Sequence, residues 1–522
     1  MNNECDQIDL NEEFRLALDI MEGSSGSVFI TGRAGTGKST LLSYFSRTTK
    51  KKVVILAPTG VAALNVKGQT IHSFFGFKPN ITAERVKRQR FKSENSNIYK
   101  KLDVIVIDEI SMVRADLLDC VDKFLRLNGP DALKPFGGIR MIFIGDLYQL
   151  PPVVAGNERM LFKTVYETPY FYSARVFDSL EMEFVELEKV YRQQDKRFIN
   201  LLNSIRNRSI AEDGLAVFNL RYKPQFEPPA GDFYVYLTTT NKLAEEINSS
   251  RLAKLKSHSY LFNAVIEGEF GKEYLPTAVE LRVKPGAQVM MLNNDAGGRW
   301  VNGSIGEIAE IVADGDGEHI IIVEMSDGKT VSVTPFTWEI YSFFVAEGQL
   351  QSDVVGKFTQ YPLMLAWAVT IHKSQGKTFD RVIIDFGTGT FAHGQAYVAL
   401  SRCTSLDGVV LAKPLLKNHI LMDFNVVDFL TRFQYKKAEQ ACPFADKVKL
   451  IERAINNRSA LKIVYLKPGD EKSKRIIMPK VLAEMEYGGK TFTGLRALCM
   501  NRNEDRTFRV DRILEIEEIE KK

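Results

Sequence analysis

Eight residues near the start of the chain, Gly32-Arg33-Ala34-Gly35-Thr36-Gly37-Lys38-Ser39, fit the pattern G-x-x-x-x-G-K-[ST]. In such a loop the glycines let the backbone curl until its N–H groups face phosphate oxygens at the start of the next helix. Lys38 then offers a cation to the β- and γ-phosphates, and Ser39 a hydroxyl to Mg2+. The expected phosphate set is Gly32, Gly35, Thr36, Gly37, Lys38, Ser39 and Thr40, and the expected cofactors are ATP and Mg2+. Further on, the apolar run Val104-Ile105-Val106-Ile107 ends in Asp108-Glu109. Two acids at one strand end divide naturally: Asp108 holds Mg2+ through its water shell and Glu109 polarises the attacking water. A third run, 141–144, leads into Gly145-Asp146-Leu147-Tyr148-Gln149-Leu150-Pro151-Pro152. Gln149 is the expected γ-phosphate sensor, because a neutral amide can hydrogen-bond both phosphate and water.

Such residues must sit at strand ends, and the pattern around them supplies the strands. Apolar runs at 27–31, 53–59, 104–107 and 141–144 alternate with longer amphipathic stretches, which predicts βαβ units and a parallel sheet with ligands at its carboxyl edge. A second set at 233–237, 366–371, 382–386 and 409–411 predicts a second α/β domain. Within it, runs at 308–312, 320–325 and 331–334, joined by turns such as Ser326-Asp327-Gly328-Lys329, predict a small inserted β-barrel at about 305–355. A helical connector with Tyr435, Lys436 and Lys437 follows Pro414, then Pro443, then a basic module from about 447.

Composition excludes other classes. The 522 residues, 45% hydrophobic and 26% charged with net charge +4, suit three or four globular domains. No run approaches the roughly 20 apolar residues of a membrane span, and the acidic N-terminus (Glu4, Asp6, Asp9, Glu12, Glu13) lacks a signal peptide's basic region, so a cytoplasmic protein with no membrane partner is expected. Five scattered cysteines without a Cys-x-x-Cys pair support neither a disulfide framework nor a zinc ribbon. Charge is uneven: 447–522 holds 18 Lys/Arg against 12 Asp/Glu, 78–101 holds eight against two, and 301–350 holds one Lys against nine acids. A basic block reads equally as nucleic-acid contact or as a solvated face.

These blocks together resemble the PIF family of 5′-to-3′ DNA helicases, RecD neighbours in superfamily 1B. The resemblance covers about 8–430 and is carried by GRAGTGKST (32–40), APTGVAA (57–63), TIHSFF (70–75), IDEISM (107–112), KPFGG (134–138) and GDLYQLPPV (145–153). VYRQ (190–193), TTTN (238–241), RWVNGSIG (299–306), TIHKSQGKT (370–378) and QAYVALSRC (395–403) follow in family order. The implied architecture is α/β: a RecA-like P-loop NTPase domain 1A (1–185) with a wedge 1B at about 76–102, and a RecA-like domain 2A (186–430) with an SH3-like barrel 2B at about 305–358. A linker at 431–446 would lead to the last module.

The resemblance further implies that Arg192 and Arg402 are arginine fingers reaching the γ-phosphate from the second domain, with Gly376 and Lys377 nearby. Single-stranded DNA would cross both domains at Thr59, His72, Asn241, His372 and Lys373, and Phe75 could stack on bases. Both histidines read alternatively as core imidazoles. Phe14 stands where many members carry an adenine-reading glutamine, so adenine selectivity is not implied. The module at 447–522 resembles a WYL domain, an Sm-like β-barrel, with Val464 in place of the naming tryptophan. Its Arg496, Arg506, Arg509 and Arg512 are candidates for nucleic acid or another anion, or for surface salt bridges. The implied function is ATP-driven 5′-to-3′ translocation on single-stranded DNA by a monomer, unwinding forked or tailed duplex, with R-loops and G-quadruplexes as open substrates. The alternative is a DNA-dependent ATPase regulator whose WYL module senses a ligand or partner.

Overall fold

In the computed structural model, which describes residues 11–519 except 24–25, 79, 91–96, 155–161, 163, 230, 314–318, 347–348, 388 and 468, the phosphate loop follows the strand next to one edge of a six-stranded parallel sheet. Its strands are β1 (Ser27–Gly32), β2 (Val53–Ala57), β3 (Gln69–Thr70), β4 (Val104–Ile107), β5 (Arg140–Ile144) and β6 (Met182–Leu187), in the order β3-β2-β4-β5-β1-β6. β1, β4 and β5 are buried along their whole length, as the unbroken Val/Ile/Phe runs require of strands covered on both faces. The loops after all three therefore open at one edge, where the two acids and Gln149 also lie. β3 is two polar residues long, and β6 breaks its apolar residues with Glu183 and Glu186, so neither reads as an unbroken apolar run. β6 pairs with β1 in parallel from Ser27↔Met182 to Gly32↔Leu187, so the first sheet runs past 185 to Leu187.

The second sheet has four parallel strands, in the order Ala368–Thr370, Val235–Thr238, Val382–Asp385, Val409–Leu411. The insertion is larger and more divided than the expected 305–358. A five-stranded antiparallel sheet joins Thr330–Val333, His319–Met325, Ile305–Ala313, Gln288–Met291 and Leu363–Leu365 around a core containing Val289, Ile308, Val323 and Trp300. The long hairpin Phe336–Ala346 and Gln349–Gln360 pairs instead with Val265–Gly268. In the 78–101 block the described residues form only two short 3-10 turns, Ala83–Arg85 and Ile98–Lys100.

By its contacts the chain divides into two units, residues up to 205 with 211–421, and 206–210 with 422–522. In the second, five antiparallel strands run in the order Glu504–Arg509, Lys490–Cys499, Glu471–Tyr487, Ala460–Lys467, Ile513–Ile519. Ile451 and Ala454 of the helix Phe444–Asn457 pack on Leu461, Ile463, Leu495 and Phe508. The segment 431–446, expected as a linker with a helical connector at Tyr435, Lys436 and Lys437, is helical. It is the end of the helix Phe424–Ala441 and the start of the next, because Pro443 supplies the fixed φ a helix N-terminus accepts. Val464 sits with Leu466, Leu514 and Ala438 in a second cluster that fastens Phe424–Ala441 to the sheet. Pro468, Leu10 and the N-terminal acids before it lie outside the described residues. Among the described residues no helix is long and apolar enough to cross a membrane.

Candidate active site and nucleic-acid interface

The phosphate loop owes its shape to glycines that nothing else could replace. Gly35 has φ +81, and a Cβ there would stand 2.6 Å from Arg192 Cβ; Gly37 has φ +86, and a Cβ there would stand 3.2 Å from the Phe14 ring. Gly37 caps the helix Lys38–Thr48, whose first turn carries Ser39 and Thr40, both exposed. Lys38 Nζ donates to the carbonyls of Gly32 (2.7 Å) and Arg33 (3.0 Å), and Thr36 Oγ1 to Arg33 (2.9 Å). Burial depresses the Lys38 pKa although Asp146, Glu109 and Asp108 all surround it.

Asp108 and Glu109 follow β4 as expected. Burial raises both pKa values; at Asp108 the adjacent Glu109 adds to the effect, while at Glu109 the Lys38 ammonium opposes it. Two carboxylates so placed carry negative charge that a divalent cation would neutralise, and with the Ser39 hydroxyl they fit the donor chemistry of Mg2+. Gln149 is buried, and its Nε2 donates to Asp146 Oδ2 at 3.2 Å.

Arg192 lies between β6 and the helix Lys196–Arg206, not within the second sheet, because β6 belongs to the first. Its guanidinium donates to the carbonyls of Ser401 (3.2 Å) and Gly376 (3.4 Å). Arg402 is 1% exposed and donates to the carbonyls of Val398 (2.9 Å) and Lys377 (3.2 Å) and to Ser401 Oγ (3.0 Å). Burial depresses both arginine pKa values, and the Arg192 charge depresses that of Arg402 further. Three desolvated cations from two domains thus crowd one loop, an arrangement that a polyphosphate would relieve. Lys377 departs from the expectation: its Nζ donates to Asn302 Oδ1 at 2.5 Å, and its carbonyl, not its charge, serves Arg402. Burial pulls the Lys377 pKa down to about 8.

Of the expected nucleic-acid residues, Thr59 and His72 line a cleft of about 1830 Å3 with Arg114, Lys123 and Arg175. Thr59 caps the helix Gly60–Asn65, Asn241 opens the helix Asn241–Lys254, and Lys373 is exposed in the turn after Ala368–Thr370. His72 and His372 are half-buried, which depresses their pKa values, so both present neutral rings at pH 7. Phe75 corrects an expectation. It is 5% exposed and packed among Phe74, Phe77, Tyr99 and Phe124, since its short helix turns this ring inward. The exposed ring is Phe391, 65% exposed and parallel to His372 with centroids 6.2 Å apart. In the second unit Arg506 pairs with Glu504 (2.9 Å) and Arg509 with Asp511 (2.6 Å), whereas Arg496 and Arg512 have no acidic partner among the described residues. Tyr465 accepts the Arg509 backbone N–H (3.4 Å) and meets Phe508 edge-on.

Comparison with known proteins settles the family. PIF1-like helicase matches residues 9–214, and WYL domain matches 446–518. An ATP-dependent DNA helicase Pif1 from Bdellovibrio bacteriovorus is 33% identical over 440 residues, covering 82% of this chain and 93% of that protein. The chain belongs to the PIF1-like helicase family. Bacteroides Pif1 in complex with ADP-AlF4 is 33% identical, with a TM-score of 0.75 over 82% of this chain and 98% of that one. Bacteroides Pif1 bound to single-stranded DNA is 34% identical over the same shares, with a TM-score of 0.59.

As a PIF1-like helicase the protein is an ATP-hydrolysing enzyme with a WYL domain, and its site holds groups that sequence reasoning passed over. Asp146, wholly buried, opposes the desolvation of Lys38 more strongly than Glu109 or Asp108 does; an acid just after an apolar strand was the available signal. The Tyr397 hydroxyl accepts the Ala34 N–H at 2.9 Å, and Asn11 Nδ2 donates to the Tyr191 hydroxyl at 3.0 Å. Nothing in the sequence separates Tyr397 from a core aromatic, or marks Phe391 as exposed.

Proposed function

We propose that this helicase is a monomeric motor that moves 5′ to 3′ on single-stranded DNA and separates tailed or forked duplex. The observation that supports it best is the convergence on one phosphate loop of Lys38, Asp108, Glu109 and Asp146 from the first domain, Arg402 from the second, and Arg192 from the segment that joins them. Hydrolysis then depends on whether the cleft is closed.

On ATP binding, Lys38 exchanges the Gly32 and Arg33 carbonyls for β- and γ-phosphate oxygens. Ser39 and Asp108 would hold Mg2+, which would supply charge neutralisation to the phosphates. Glu109 takes the proton of the attacking water while Gln149 hydrogen-bonds water and γ-phosphate. Arg192 and Arg402 meet the charge that develops in the transition state, an effect worth about 10³ to 10⁵ in rate. Thr59, His72, Asn241, His372 and Lys373 contact phosphates and sugars and carry no base code. A track without a base code is compatible with forks, R-loops and G-quadruplexes that offer a 5′ single-stranded entry.

The WYL unit binds single-stranded DNA through Arg496 and Arg512 and tunes turnover. A second reading, a site for a small ligand, draws support from a cavity of about 550 Å3 in that unit lined by Lys447, Arg509 and Arg512 together with Glu439 and Asp511. ATP turnover with and without single-stranded DNA, together with strand separation on 5′- and 3′-tailed duplexes, tests the proposal. DNA-stimulated ATPase with unwinding of the 5′-tailed duplex alone supports it. Unstimulated ATPase, or unwinding of the 3′-tailed duplex alone, refutes it.

A further inference from the structure

The turn at 371–377, which follows the strand Ala368–Thr370, makes a contact that phosphate binding does not explain. Gln375 Nε2 donates to Glu109 Oε2 at 3.0 Å, across the cleft between the two parallel sheets. Glu109 occupies a left-handed conformation, φ 50 and ψ 42, that a residue with a side chain rarely adopts. A carboxylate on so constrained a backbone can reach an attacking water only from a narrow range of rotamers, so whatever holds it decides whether it reacts. Lys38, Arg402, Asp146 and Asp108 also face Glu109. The cations among them are drawn to phosphate when nucleotide binds. Gln375 is the neutral donor that remains.

The same turn serves the rest of the site. Gly376 O accepts from Arg192, and Ser374 O (3.4 Å) and Lys377 O (3.2 Å) accept from Arg402. Lys377 Nζ reaches Asn302, which in turn donates to Asn65 Oδ1 of the first domain at 3.0 Å. His372, beside the exposed Phe391 ring, and Lys373 open the turn. One short segment thus bears nucleic-acid candidates at its start, the carbonyls that orient both arginines, and the side chain that grips the general base.

We propose that Gln375 is a positioning residue that seats the Glu109 carboxylate for proton abstraction only when the second domain's turn closes on the first, so that DNA held at His372 and Lys373 governs hydrolysis. The proposal rests on Glu109 as general base. Gln375→Ala and the isosteric Gln375→Glu, which keeps the volume but replaces the amide donor with a like charge, should each lower DNA-stimulated kcat by about 10²-fold, the cost of a misplaced reacting group. KM for ATP and the affinity for single-stranded DNA should stay within about twofold, because neither ligand loses a contact. A packing role alone would spare Gln375→Glu. In the double variant with Glu109→Gln, the Gln375 change should cost nothing more, since it acts through Glu109. Loss in Glu109→Gln with normal kcat in Gln375→Glu overturns the proposal alone, as does a Gln375 effect that persists undiminished in the double variant. Near-normal turnover in Glu109→Gln overturns the base assignment and the proposal with it.

Discussion

Replacing Arg192 by alanine separates catalysis from folding more cleanly than any other change at the nucleotide site. The Arg192 guanidinium makes two long hydrogen bonds, to Ser401 O at 3.2 Å and Gly376 O at 3.4 Å, and sits where its charge opposes Arg402. Losing two such bonds while relieving a desolvated like-charge pair should change stability by no more than about 1 kcal/mol. In a domain of this size that is about 2–4 °C in Tm. A finger's contribution in the transition state is far larger: a loss of at least about 10³ in DNA-stimulated kcat, or about 4 kcal/mol at 1.36 kcal/mol per decade. Arg402→Ala should lose as much rate and also stability, by about 3 kcal/mol or more, because it empties a fully buried position and strands the carbonyl of Lys377. The assay is steady-state ATPase at saturating single-stranded DNA, beside thermal melts and DNA binding by fluorescence anisotropy. If Arg192→Ala keeps kcat within about tenfold of wild type, or keeps kcat and loses DNA affinity, its charge does not act on the transferring phosphate and the reasoning fails.

Phe391→Ala should weaken single-stranded DNA binding by about 1–3 kcal/mol through the loss of a stacking face. Phe75→Ala should instead lower stability by about 3–5 kcal/mol and leave the DNA affinity of the remaining folded protein unchanged; anisotropy and melts read both. A chain ending at Leu421 should fold and hydrolyse ATP, with weaker DNA binding and a shallower salt dependence. A cut after Asp446 should behave worse, since it severs the helix Phe444–Asn457 and bares the Ala438 face of its predecessor; equal solubility of the two truncations would count against this boundary. Burial holds the folded pKa values of His72 and His372 below the unfolded value of about 6.5, so their contribution to stability is present above that pH and lost as pH falls through the folded values. Replacing both with glutamine should shrink the Tm drop between pH 7 and pH 5, and an unchanged drop would show that neither ring is desolvated.

Much of the first domain was legible because its chemistry is contiguous. Strand ends at 32, 107 and 144 carry their functional residues within eight positions, and buried parallel strands announce themselves as unbroken apolar runs. Contacts between distant segments were not legible. That Ala34 meets Tyr397 or Glu109 meets Gln375 depends on how two sheets pack, which no periodicity encodes. Phe75 and Phe391 show the same limit in the other direction. Both are phenylalanines in short segments close to a glycine, and only the tertiary arrangement buries one among four rings and exposes the other. The hairpin Phe336–Ala346 and Gln349–Gln360 was missed because its partner, Val265–Gly268, lies far away along the chain and is itself exposed.

Directional movement on single-stranded DNA is the central claim, and displacement of streptavidin from biotinylated oligonucleotides tests it without a duplex to complicate the reading. With ATP and Mg2+, the enzyme should speed release of streptavidin from a 3′-biotinylated strand and leave a 5′-biotinylated strand at its spontaneous rate, while Glu109→Gln should do neither. Accelerated release from the 5′ end alone, or from neither end despite DNA-stimulated ATP turnover, would contradict the account.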